Sequence, residues 1–178
     1  MNVVILYESL FGNTHQVAEA IAEGARVAAP GTQVTCLPVG ESDPEQIPAA
    51  DLLVVAGPTH MRGMTSGFSR KMGLVAEEKQ DEADRHETES GAEGPGVRDW
   101  FEDRPKAAKG SKAAAFDTRA DTRLAGGAAY GIARRLRRHG YELIGEPVGF
   151  IIDGTEGPLR AGEPERATAW GSDLVRSA

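Results

Sequence analysis

A chain of 178 residues, 40% apolar and 26% charged, is long enough to bury one substantial core and has the composition of an ordinary globular domain, so a single domain over 1–178 is expected. No apolar run approaches the length of a membrane span, and the start, MNVVILY, passes straight into strand-like residues without the basic segment of a secretory leader; a cytoplasmic protein with no membrane partner is expected. The net charge of −7 is concentrated, because residues 76–96 hold eight acidic and two basic side chains and so carry −6 of it, leaving the rest of the chain close to neutral.

The first element along the chain is a β-branched run, residues 3–7. It breaks at Ser9-Leu10-Phe11-Gly12-Asn13-Thr14 and passes into an amphipathic helix over 14–28, with Val17, Ala18, Ile21, Ala22 and Ala25 on one face. Such a junction suits a phosphate. Free N–H groups at a helix start and in the preceding loop point toward an anion, the helix dipole adds positive potential, and Ser9, Asn13 and Thr14 supply short donors. Gly12 lets the backbone pass close to the ligand. The same residues also read as a plain strand-to-helix turn, with Asn13 as N-cap and Gln16 closing a capping box. Neither GxGxxG nor a lysine after the loop glycine is present, so the dinucleotide fingerprint and the P-loop are excluded.

A second strand is expected over 33–38, where the single cysteine, Cys36, reads as a small buried hydrophobe; one cysteine excludes an internal disulfide. The third strand, 52–56, opens into Pro58-Thr59-His60-Met61-Arg62-Gly63-Met64-Thr65-Ser66-Gly67, with spaced glycines that permit a peptide to reorient. Residues 68–75 have the apolar content of a short helix. The acidic stretch 76–96 lacks apolar periodicity and reads as a mobile solvated loop inserted before a weak helix over 97–108. The fourth strand, 112–117, opens into a loop running from Asp117, Thr118 and Arg119 through Asp121 and Arg123 to Gly126 and Gly127. A helix over 128–139 repeats Ile132 and Leu136 and stops at Gly140; the cations Arg134, Arg135, Arg137 and Arg138 near its end complement its dipole, and no nucleic-acid partner is expected. A fifth strand over 148–153 and a helix over 163–177 complete the chain.

Strands that are apolar throughout and alternate with helices imply a parallel sheet covered on both faces, an α/β fold. The loop Ser9–Thr14 resembles the FMN phosphate loop of flavodoxins, roughly Ser/Thr-x-Thr-Gly-x-Thr, matching at Ser9, Gly12, Asn13 and Thr14, with Leu10 and Phe11 where that family commonly has hydroxyl donors. The resemblance implies a flavodoxin-like doubly wound three-layer sandwich with a five-stranded parallel sheet in the order 2-1-3-4-5. It also implies FMN as cofactor, with the isoalloxazine between the loops after strands 3 and 4. Thr59 to Arg62 would flank the ring on one side; Pro58, Gly63, Asp117, Thr118, Arg119, Gly126 and Gly127 would complete the site. Neither loop carries the stacking aromatic common in that family, and Arg62, Arg119 and Arg123 are placed to favour an anionic reduced flavin, or else to pair with Asp117 or Asp121.

No serine–histidine–acid set, carboxylate pair or metal-ligand spacing is present, so the chemistry would belong to the cofactor. Three functions fit: an FMN electron carrier between a reductase and an acceptor protein, monomeric or weakly dimeric; an FMN enzyme similar to NAD(P)H:quinone reductases or protoporphyrinogen oxidases; and a flavin-free binding module.

Overall fold

The computed structural model describes residues 1–42, 47, 49–60, 63–65, 67, 75, 88, 94–102, 104–121, 127–154 and 156–178. The short helix expected over 68–75 and nearly all of the acidic stretch 76–96 lie outside these residues. The sheet is built around β1 (Asn2–Tyr7), which pairs in parallel with β2 (Gln33–Pro38) on one side and β3 (Leu52–His60) on the other. The chain then turns back as β4 (Gly63–Met64), antiparallel to the end of β3, with Thr59 opposite Met64 and His60 opposite Gly63. β5 (Lys112–Ala120) pairs in parallel with β3, and the edge beyond it is shared by β6 (Glu142–Leu143) and β7 (Val148–Ile152). Five strand positions thus follow the expected order 2-1-3-4-5, the fifth divided into β6 and β7. Pro147 just before β7 has no N–H for the ladder, and Gly145 takes φ +71°, so pairing cannot run unbroken along this edge.

β3 and β5 each extend beyond their apolar runs. Backbone pairing continues through Gly57 opposite Asp117 and Pro58 opposite Thr118, so Asp117, Thr118 and Arg119 lie within a strand rather than in the expected loop. Alternation along the strands sorts the core into two faces. Val3, Ile5, Tyr7, Val54, Phe116 and Phe150 face α1 (Asn13–Ala28) and the last helix; Val4, Leu6, Val55, Ala113 and Ala115 face the opposite layer. That layer comprises α2 (Val97–Trp100) and α3 (Ala128–Arg138). α2 is a single turn where a helix over 97–108 was expected, because Pro105 offers no N–H and biases Arg104 toward extended backbone. α3 stops where expected, with His139 as C-cap and Gly140 at φ +92°.

The last helix, α4 (Glu163–Ser177), crosses α1 at very short range. A Cβ on Gly24 would fall inside the Thr168 carbonyl and one on Gly171 inside that of Ile21, while Ser172 Oγ donates to Gly24 O at 2.9 Å. Among the described residues, no helix is long and apolar enough to cross a membrane. The carboxyl ends of β1, β3, β5 and β7 lie together at one end of the sheet, where open α/β folds place ligands.

Candidate functional site

At the end of β1 the chain enters α1 through Gly12, which sits at φ +84° as the N-cap. Asn13 is therefore inside the helix, and no side chain caps it; the capping-box reading of Asn13 and Gln16 does not hold. Ser9 Oγ instead accepts the Gly12 N–H at 3.1 Å and closes the loop on itself. Asn13 and Thr14 are buried, and among the described residues their backbone N–H groups have no acceptor, since a helix's first turn cannot supply one. Buried unpaired N–H groups are costly, so a loop with this geometry fits a phosphate that accepts from them. Leu10 is buried, and neither it nor Phe11 offers a side-chain donor.

Thr14 Oγ1 lies 2.8 Å from Thr118 Oγ1 in a buried pair. One hydroxyl donates to the other, leaving the second proton for an outside acceptor. A small pocket of about 50 Å³ joins Ser9, Leu10, Phe11, Asn13 and Thr14 to Pro58, Thr59, His60 and Thr118, bringing together the first loop and the ends of β3 and β5. Ile152 and Glu156 also line it, and sequence reading missed both. The Asn13 carboxamide donates to Glu156 O at 2.6 Å, so it holds the turn after β7 rather than standing free for an anion. No local pattern in the sequence could pair residues 13 and 156.

Asp117 is fully buried behind this pocket and organises the start of α3. Its Oδ2 accepts the Ala129 N–H at 2.8 Å and the Thr59 hydroxyl at 3.0 Å, while Thr59 Oγ1 in turn accepts the Ala128 N–H at 2.8 Å. A strand carboxylate and a strand hydroxyl thus cap a helix whose own N-cap, Gly127, has no side chain. A Cβ on Gly127 would stand 2.8 Å from Arg119 Nη1 and 3.1 Å from Asp117 Oδ2, so a side chain there would push the Arg119 guanidinium aside and crowd the buried carboxylate. Burial pushes the Asp117 carboxyl above its ordinary value, opposed by the Ala129 N–H, Arg119, the Thr59 hydroxyl and the Ala128 N–H. Arg119 Nε lies 3.1 Å from Asp117 Oδ1, and its guanidinium fills the space over Gly149. Of the two readings offered for this arginine, an ion pair with Asp117 is present. Asp121 pairs with Arg160 at 2.6 Å on the surface.

Gly63 and Gly127 line a separate open groove of about 400 Å³, together with Arg98, Arg134 and Arg135. Met61, Arg62, Arg123 and Gly126 lie outside the described residues. Sequence reading also missed Glu8, a buried carboxylate at the end of β1: its Oε2 accepts the Val97 N–H at 2.9 Å and its Oε1 accepts the Thr65 hydroxyl. The only available signal was an acid placed directly after an apolar strand. Cys36 is half-buried rather than fully buried, and burial together with Glu19 pushes its pKa up to about 12. Among the described residues, no group of metal-ligating side chains converges.

A parallel sheet of this strand order, covered by helices on both faces and with a helix N-terminus opening onto the strand ends, defines a doubly wound α/β protein. The family model "Flavodoxin" matches residues 5–116, well over half of the chain, and the chain belongs to the flavodoxin family. Members of this family bind FMN. A flavodoxin of Aquifex aeolicus (strain VF5) is 42% identical over 59 residues, which span 33% of this chain and 31% of that protein. The fold is shared with oxidised flavodoxin 2 of Bacillus cereus, at a TM-score of 0.69 and 18% identity with all of each chain covered. Oxidised flavodoxin 1 of the same organism superposes at a TM-score of 0.68 and 15% identity, covering 100% of this chain and 99% of that one.

Proposed function

We propose that this chain is a cytoplasmic FMN electron carrier, monomeric or weakly dimeric, that takes electrons from a reductase and passes them to an acceptor protein. The observation that carries the reading is the buried first turn of α1, whose Asn13 and Thr14 N–H groups have no acceptor among the described residues. The Thr14–Thr118 hydroxyl pair shares the pocket with them. FMN, when bound, supplies the electron-accepting ring. The chain's own groups do the rest: the backbone of 9–14 and the spare hydroxyl protons of Ser9 and the Thr14–Thr118 pair hold the phosphate. Pro58, Thr59 and His60 border the ring side, with Gly63 and Gly127 beyond them. Asp117 positions α3, and through it Gly127, without touching the cofactor.

Removing the side-chain donors tests this reading. Hydrogen bonds to a charged group contribute about 1.5–3 kcal/mol each, so Ser9→Ala with Thr14→Ala should weaken FMN binding by at least about tenfold, while His60→Ala changes it far less. Flavin fluorescence titration of the apoprotein measures both. Unchanged affinity in the double variant, or a colourless protein that takes up no added FMN, overturns the assignment. The open groove with Arg98, Arg134 and Arg135 beside Gly63 and Gly127 favours a second reading, an FMN reductase acting on an anionic substrate. Sustained NADPH oxidation with a quinone, without added reductase, would select it over the carrier.

A further inference from the structure

At the end of the sheet away from the 9–14 loop, ahead of β3, β5 and β6, lies a cavity of about 310 Å³. Protein interiors hold few voids larger than a water molecule, and this volume falls at the lower end of small-ligand pockets. Its walls are aromatic: Trp100, Phe101, His139 and Tyr141. The charged groups among the described lining residues are Arg104 and Lys106, with no carboxylate. Arg104 is not a loose surface cation. Its guanidinium lies over the Trp100 ring at 4.8 Å from the centroid and donates to Ser42 Oγ at 3.1 Å, the same hydroxyl that accepts the Trp100 indole N–H at 3.2 Å. Burial makes its charged form costlier, lowering its pKa, and Tyr141 faces it. Trp100 and Phe101 meet edge to face at 4.9 Å, and Phe101 in turn packs against His139 at 5.4 Å, so the three rings form one continuous aromatic surface.

We propose that this cavity binds a small planar aromatic anion, one or two rings bearing a single acidic group, with the rings against the aromatic lining and the acid on Arg104 and Lys106. Flat rings match the stacking surfaces, and an anion relieves a partly desolvated guanidinium. The volume is too small for a peptide helix or a dinucleotide. The site lies apart from the proposed flavin pocket and stands or falls independently of it.

The probe is 5-dimethylaminonaphthalene-1-sulfonate, with the neutral 5-dimethylaminonaphthalene-1-sulfonamide as its uncharged counterpart. It is titrated into the full chain carrying Trp170→Phe, so that Trp100 is the sole tryptophan. The expected result is saturable binding of one sulfonate per chain, with Trp100 emission quenched in step. Lys106→Met and Arg104→Met should each lower sulfonate affinity several-fold and together at least about tenfold, leaving the neutral dye's affinity unchanged and thermal unfolding cooperative. Non-saturating binding, unquenched Trp100 emission, or sulfonate affinity unmoved by both substitutions overturns the proposal.

Discussion

Asp117 carries the largest electrostatic tension among the residues behind the pocket, because its carboxylate is fully buried yet must accept two donors and balance Arg119. Its raised folded-state pKa means that the folded chain holds this proton more tightly than the unfolded chain does. The stabilisation from protonation is complete below the ordinary value near 3.8 and is lost as pH rises through the folded value. Asp117→Asn removes that loss. Its stability relative to the native sequence should therefore increase as pH rises from about 4, by at most about 1.4 kcal/mol per pH unit. Urea unfolding at stepped pH measures this, and a difference independent of pH would contradict it. Little of the carboxylate's role was legible in the sequence. Asp117 was grouped with a ring-facing loop because apolar character ends at Phe116, whereas backbone pairing with β3 does not depend on side-chain polarity and runs on to Thr118. Its partners, the N–H groups of Ala128 and Ala129, become neighbours only once α3 docks.

Among the elements, local periodicity was a sound guide wherever an element is long. α1 and α4 lie within a residue of their expected bounds, since a stripe such as Val17, Ile21 and Ala25 has one partner face to meet. Short elements escaped it. Two-residue β4 and β6 arise from pairing opportunities that no pattern of two side chains can announce, and α2 gave way to Pro105 after one turn. The α1–α4 crossing also needed the fold to become visible, because Gly24 and Gly171 are unremarkable helix residues until each meets the other helix's backbone. Alanine there cannot be absorbed by a side-chain rotation. Gly171→Ala should destabilise by up to about 2 kcal/mol despite its better helix propensity, as an overpacking cost of about 1–3 kcal/mol outweighs the roughly 1 kcal/mol gained from replacing glycine. Chemical denaturation reads the sign directly, and a stabilised variant would show that the helices separate at little cost.

For the molecule as a whole, a nearly neutral α/β core carries one strongly acidic excursion. Residues 76–93 hold all eight acids and both bases of the stretch, so deleting them takes the net charge from −7 to −1. Bridging the gap with Gly-Ser should leave unfolding cooperative and the midpoint within a few degrees, because shortening the chain between two fixed points changes its closure entropy only slowly. Loss of cooperative unfolding on heating would show instead that the stretch belongs to the core.

That expectation rests on Glu8. One buried carboxylate receives both Thr65, where the chain departs, and Val97, where it returns. Departure and return are thus fastened to the same point at the end of β1, and the distance between them is set by two hydrogen bonds rather than by whatever lies between. The length and charge of the intervening residues should therefore be changeable while every strand keeps its register. Glu8 would then act as a graft point, at which a new surface could be attached without rewriting the fold that supports it.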